Sequence, residues 1–226
     1  MPRTPRVDVG GIVYHVLNRA TARQKIFETD ADYRAFERAL GESKEQYPMR
    51  LLVYCVMPNH WHLVLYPMED GELVPFMRWL TMTHTQRWHA AHHTAGTGHL
   101  YQGRYKSFPI ETDTHFLQVV RYVERNALRA GLVRRAEEWP WSSLHRRISS
   151  HAAAQVLLSS WPVDPPDDYV VWVNTPQSEQ EVEAIRLSIA RGRPFGGERW
   201  SDAMTERLSL QSAFRHRGRP AGEKRS

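Results

Sequence analysis

Two histidines flank one apolar residue in His60-Trp61-His62, at the head of a run that continues through Val64, Leu65 and Tyr66. On a β-strand, successive side chains point to opposite faces, so His60 and His62 share one face and Trp61 is buried on the other. Two imidazoles spaced by two residues lie about 7 Å apart along the strand and can converge on one divalent ion. They leave its coordination shell incomplete. Some sixty residues later, Tyr122 and Asn126 stand at i and i+4, one turn apart on a single helical face. A tyrosine hydroxyl, with an ordinary pKa of about 10, is a weak nucleophile. It attacks a phosphodiester only when charge on the phosphate is stabilised. A divalent ion held by His60, His62 and the side-chain oxygen of Asn126 would grip a non-bridging oxygen. The chemistry these residues suggest is metal-assisted phosphoryl transfer with Tyr122 as nucleophile.

The elements that must position these groups follow from periodicity and turn signals. Ile12 to Asn18 reads as a strand, and Thr29-Asp30 can cap a helix over 31–47 with Tyr33, Phe36 and Leu40 on one side. Arg50 to Val56 and His60 to Tyr66 form a hairpin across the turn signal Pro58-Asn59. A second helix runs from about 73 to 93, with Leu73, Phe76, Met77, Leu80 and His84 on one stripe. A short strand at Phe108 to Glu111 leads to a third helix, capped by Asp113 or Thr114 and stopped near Gly131. The order β-α-β-β-α-β-α predicts an α+β fold: a ferredoxin-like antiparallel sheet with helices on one face and one helix added. Residues 1–148 form the expected catalytic domain. Residues 149–226 form a C-terminal extension, with a loosely packed wrap over 149–180, helices at Glu179 to Ala190 and Asp202 to Leu208, and a basic tail.

The chain has 226 residues, a formal charge of +5 and a pI near 9.5, which favours a polyanionic partner. Its one cysteine, Cys55, rules out an internal disulfide and suits a reducing cytoplasm. No apolar run approaches the roughly 18 residues that would span a membrane, and the N-terminus carries no signal peptide. Candidate DNA contacts are Asn18 and Arg19 at the edge of the first strand, and Gln102, Arg104, Lys106 and Ser107 as donors to phosphates and base edges. Tyr101 and Tyr105 offer faces for unpaired bases. Arg121, Arg125 and Arg129 line a helix flank, and Arg217 and Arg219 belong to an Arg-Gly-Arg-Pro sequence in the tail. A second histidine cluster, His84, His89, His92, His93 and His99, reads as a solvated or DNA-facing helix end.

His60-Trp61-His62 resembles the His-hydrophobe-His motif of the HUH single-strand nucleases, and Tyr122-x-x-x-Asn126 resembles the helix of their single-tyrosine transposase branch. Further stretches, Tyr14-His15-Val16-Leu17-Asn18-Arg19, Gln102-Gly103-Arg104-Tyr105-Lys106-Ser107, Asn126-Ala127-Leu128-Arg129-Ala130-Gly131 and Trp139-Pro140-Trp141-Ser142-Ser143, are similar to the REP-associated tyrosine transposases. The resemblance covers about residues 8–146. It implies a bacterial, nucleoid-associated enzyme that binds imperfect hairpins in single-stranded DNA and uses Mg²⁺ or Mn²⁺. Such an enzyme cuts one strand near the hairpin foot, forms a 5′-phosphotyrosine, releases a 3′ hydroxyl and can rejoin the strand without ATP. Two departures stand out: Ala127 where relatives often carry proline, and Asn126 where related transposases use the longer glutamine. A monomer and a homodimer both remain open. The alternative reading is a non-catalytic hairpin-DNA-binding regulator derived from such a transposase. A replication initiator is disfavoured by the short chain.

Overall fold

The structure, a computed structural model, describes residues 6–149 and 157–215. Arg217, Arg219 and the first residues of the basic N-terminal arm lie outside them. Four strands, β1 (Val13–Arg19), β2 (Arg50–Met57), β3 (His60–Tyr66) and β4 (Lys106–Ile110), form one antiparallel sheet in the order β2-β3-β1-β4. This is the expected ferredoxin-like arrangement. The Pro58-Asn59 turn closes the β2-β3 hairpin, with Met57 opposite His60. In β2 the register shifts between Leu51 and Val53, so that Leu51 faces one core while Leu52 and Val53 face the other.

Helix α1 (Asp30–Gln46) begins with a capping box between Thr29 and Asp32. It packs with α2 (Leu73–Ala91) on the sheet face formed by Tyr14, Val16, Val56, Trp61, Leu63 and Leu65. The cap of α2 comes from a distance: the Asp8 carboxylate accepts from Leu73 N at 2.7 Å and Val74 N at 3.1 Å. That pins the described end of the N-terminal segment to the start of α2.

The added helix, α3 (Thr114–Glu124), lies on the other face against Val13, Cys55, Val64, Phe108 and Ile110. Asp113 caps it by accepting from His115 N. The expected continuous helix to Gly131 is broken at Arg125 (φ −80°, ψ 0°), and a short α4 (Asn126–Arg129) follows. The break opens the Tyr122 carbonyl to the Arg129 guanidinium, which donates to it at 3.0 Å. Gly131, at φ +70°, adopts the left-handed conformation that ends this segment.

After α5 (Ser143–Ile148) the extension supplies α6 (Tyr169–Asn174), α7 (Glu179–Arg191) and α8 (Glu198–Arg207). The described part of the stretch expected to wrap loosely, residues 157–180, is instead packed, because it carries large apolar groups. Trp161 meets the Phe116 ring edge-on at 5.6 Å, and Trp161, Val163, Tyr169 and Trp172 press on the α3 side of the sheet. Ile185 of α7 is fully buried there. Among the described residues, no helix is long and apolar enough to cross a membrane.

Candidate active site

The alternation of β3 separates the motif as its sequence requires. Trp61 is fully buried in the α1–α2 core, while His60 and His62 point to the α3 side. The two imidazoles meet edge to face with centroids 5.0 Å apart, and the His62 ring lies 5.9 Å from that of Tyr122. Strand and tyrosine helix thus close on one another. Each histidine is tied at Nδ1. His60 Nδ1 bonds Asn59 Oδ1 at 2.6 Å, and His62 Nδ1 bonds His15 Nε2 at 2.7 Å. Among the described residues neither Nε2 has a hydrogen-bond partner. A metal-ligating histidine is normally held this way, its second nitrogen fixing the ring and tautomer.

Electrostatics keep both rings neutral. Burial, then the charges of Arg19 and Arg129, pull His60 down to about 4. Burial, with smaller contributions from the neighbouring histidines and the same two arginines, holds His62 well below the ordinary imidazole range. Neutral imidazoles with an accessible lone pair suit a cation. Asn126 fits the same role less completely. Its Oδ1 already accepts from Arg129 Nη2 at 2.8 Å, although an amide oxygen has a second lone pair, and its buried Nδ2 lacks a partner among the described residues. Tyr122 is largely buried, with the Arg129 guanidinium 4.2 Å from its ring centroid. Arg186 of α7 is held above its ordinary value chiefly by its hydrogen bond to Glu183, with a contribution from the nearby Tyr122.

The remaining sequence candidates fall into three groups. Arg19 stays at the site, directly opposite His60 in the sheet. Asn18, Gln102, Arg104 and Tyr105 line a separate groove of about 1040 Å³ beside α2, joined by Arg6 and Arg78 and, among the described residues, by no carboxylate. Lys106 and Ser107 begin β4 opposite Leu17 and Val16. The Tyr105 ring is covered by the Arg6 guanidinium at 3.4 Å, so its face is not open as expected. Tyr101 is also not a stacking platform. It is buried, accepting from Trp61 Nε1 at 2.9 Å and donating to His84 Nδ1 at 2.7 Å. His84 is accordingly a core residue, not part of a solvated cluster.

Arg121 and Arg125 require correction as phosphate contacts. Arg121 pairs with Glu181 at 2.9 Å beneath the Trp172 ring, and Arg125 donates to the carbonyls of Val173 and Asn174. The extension, unseen in a local reading of the helix flank, engages Arg121 Nη2 and Arg125 Nη1. Outside the site, Glu111, Asp113 and His115 could together hold an ion. They lie beyond the end of β4 that pairs with Val13, opposite to His60, and are engaged in the α3 cap and with Gly197 N.

Sequence reasoning left two roles unassigned. His15 stands on the strand expected beside the histidine pair, but its support of His62 follows only from the alternation Val13, His15, Leu17, Arg19 combined with the strand register. Glu124, fully buried two residues after Tyr122, bonds Ser143 Oγ at 2.7 Å and the Tyr169 hydroxyl, joining α3 to α5 and α6. No local pattern marked it.

A four-stranded ferredoxin-like sheet with paired histidines facing a tyrosine helix defines the class of single-tyrosine HUH transposases. The family model for IS200-like transposases matches residues 8–126, and the chain belongs to that family. It is similar to a REP-associated tyrosine transposase of Escherichia coli K12, 22% identical over 140 residues that cover 62% of this chain and 80% of the relative. A Haemophilus influenzae protein named as a putative REP-associated tyrosine transposase is 23% identical over 151 residues, covering 63% and 83% respectively. The fold also matches a solved structure of a REP-associated tyrosine transposase bound to a REP hairpin, with TM-score 0.54 and 20% identity over 79% of this chain and 100% of that one.

Proposed function

We infer that this chain is a metal-dependent transposase or endonuclease for single-stranded DNA, acting at hairpins of palindromic repeats. The observation that carries the reading is the histidine pair with both Nδ1 atoms engaged and both Nε2 atoms left over, beside the Tyr122 ring. His60, His62 and, through its remaining lone pair, Asn126 are the residues to hold Mg²⁺ or Mn²⁺. When bound, the ion supplies positive charge to a non-bridging phosphate oxygen.

Tyr122 Oη attacks the phosphorus, the Oη–P bond forms, and the P–O3′ bond breaks. The tyrosine proton passes to solvent and the leaving 3′ oxygen takes one up, so a 5′-phosphotyrosine and a free 3′ hydroxyl result. The reverse attack rejoins the strand without an external energy source. Arg129, whose charge reaches both histidines and whose guanidinium covers Tyr122, stabilises the phosphate and positions Asn126. Arg19 contacts the strand beside His60. The cationic groove with Asn18, Gln102, Arg104, Arg6 and Arg78 receives DNA next to the site. Lys106 and Ser107 extend that surface. The work takes place on bacterial DNA in the cytoplasm.

The test uses an oligonucleotide carrying an imperfect hairpin and a single-stranded flank. Cleavage is expected with Mn²⁺, is stopped by chelator, and disappears in His60→Ala while hairpin binding persists. A Tyr122→Phe protein that cuts like its parent would end the assignment. A protein that binds the hairpin equally with and without chelator, and never cuts it, would be the non-catalytic regulator.

A further inference from the structure

His15 is fully buried on β1, diagonal to His62 across the β1–β3 pair, where Leu17 stands directly opposite His62 and His15 opposite Val64. On its other side its ring lies 4.9 Å from Phe108 of β4. Packed between Phe108 and the His62 ring at 5.0 Å, the His15 imidazole has no room to turn away, and its Nε2 is aimed at His62 Nδ1. Two neutral imidazoles sharing one hydrogen bond have two arrangements. If His15 Nε2 carries the proton, His62 accepts at Nδ1, keeps its own proton on Nε2 and cannot bind a metal there. If His62 Nδ1 carries the proton, His15 accepts and His62 Nε2 presents a lone pair.

We propose that His15 is the positioning residue of the metal site, accepting the His62 Nδ1 proton and so fixing the ring and tautomer in which Nε2 can ligate. This rests on the reading that His60 and His62 hold a divalent ion. His15 itself does not ligate, since its Nε2 is spent on His62. Asn59 does the corresponding service for His60 from the hairpin turn.

The experiment is done in a Tyr122→Phe background, so that cleavage plays no part. Mn²⁺ alone is titrated by electron paramagnetic resonance, and ring-nitrogen NMR on histidine-labelled protein reports the His62 tautomer. The parent should show His62 protonated on Nδ1. His15→Phe, which removes the acceptor, should weaken Mn²⁺ binding about 10–100-fold, the usual cost of losing such a partner, and shift the His62 proton toward Nε2. His15→Gln, whose side-chain oxygen can still accept, should recover most of the affinity. Hairpin binding should be unchanged in both.

Equal Mn²⁺ affinity in His15→Phe and parent, or a parent His62 protonated on Nε2, would overturn the proposal. If His15→Phe fails to fold, the parent tautomer and His15→Gln affinity decide alone, and a Gln variant as weak as a site lacking His62 also overturns it. A parent that binds no Mn²⁺ would refute the metal reading instead, while the NMR measurement would still judge the His15–His62 bond.

Discussion

Trp61 sits between the two motif histidines on the strand, and what holds it should be measurable as stability. Its indole N–H donates to the Tyr101 hydroxyl at 2.9 Å, and that hydroxyl donates onward to His84 Nδ1 at 2.7 Å. All three side chains are buried. Tyr101→Phe removes one oxygen and leaves the ring packing in place, so the transfer of apolar area changes little. It orphans a buried donor on Trp61 and a buried acceptor on His84. Each costs about 1–3 kcal/mol when left unpaired, so the variant should lose about 2–6 kcal/mol. For a chain of this size, at about 2–4 °C per kcal/mol, that lowers the melting temperature by at least about 4 °C. Urea unfolding followed by circular dichroism would show the loss as a lower midpoint at an unchanged slope. A difference under about 0.5 kcal/mol would refute the reasoning, because it would mean that the chain from Trp61 to His84 contributes nothing net.

Glu124 is pushed up to about 7 by burial, so its acid form is the one the fold prefers. Its folded value lies above the unfolded one, and the protein should lose about 3 kcal/mol as pH rises from about 4.5 to 7. Glu124→Gln should remove that dependence, with its stability relative to the parent improving from pH 5 to pH 8; a constant difference would count against it. His84 has the opposite sign. Burial pulls it to about 3, so stability falls as pH drops below the unfolded value of about 6.5, by up to about 1.4 kcal/mol per unit. His84→Gln should lower the acid slope by one proton, and an unaltered slope would show His84 to be solvated. Arg121→Ala, which frees Glu181 and Trp172, should cost about 1–2 kcal/mol and make the extension more sensitive to limited proteolysis. Its hairpin affinity should match the parent, and a large loss would restore Arg121 as a phosphate contact.

The sheet and the two faces of β3 were legible because one strand alternation decides them: Trp61 went to the core and the histidines to the opposite side. Helix α2 carried its own answer for His84, which shares a stripe with Phe76, Met77 and Leu80, and the stripe outweighed the nearby histidines. The break at Arg125 was not legible, since no proline or glycine marks it. It accompanies an arginine side chain that reaches back to the Tyr122 carbonyl. Arg121 and Arg125 misled for a related reason, because their partners, Glu181 and the carbonyls of Val173 and Asn174, come from about fifty to sixty residues later in the chain. The His15–His62 bond joins residues 47 apart and exists only through the β1–β3 register.

The most direct test of the central claim is mass spectrometry of the protein after reaction with a hairpin oligonucleotide and Mn²⁺, followed by digestion of protein and DNA. The account predicts one modified peptide, containing Tyr122 linked to a nucleotide 5′ phosphate, and a free 3′ hydroxyl on the released strand. Cleavage with no adduct, or an adduct on another residue, would contradict it.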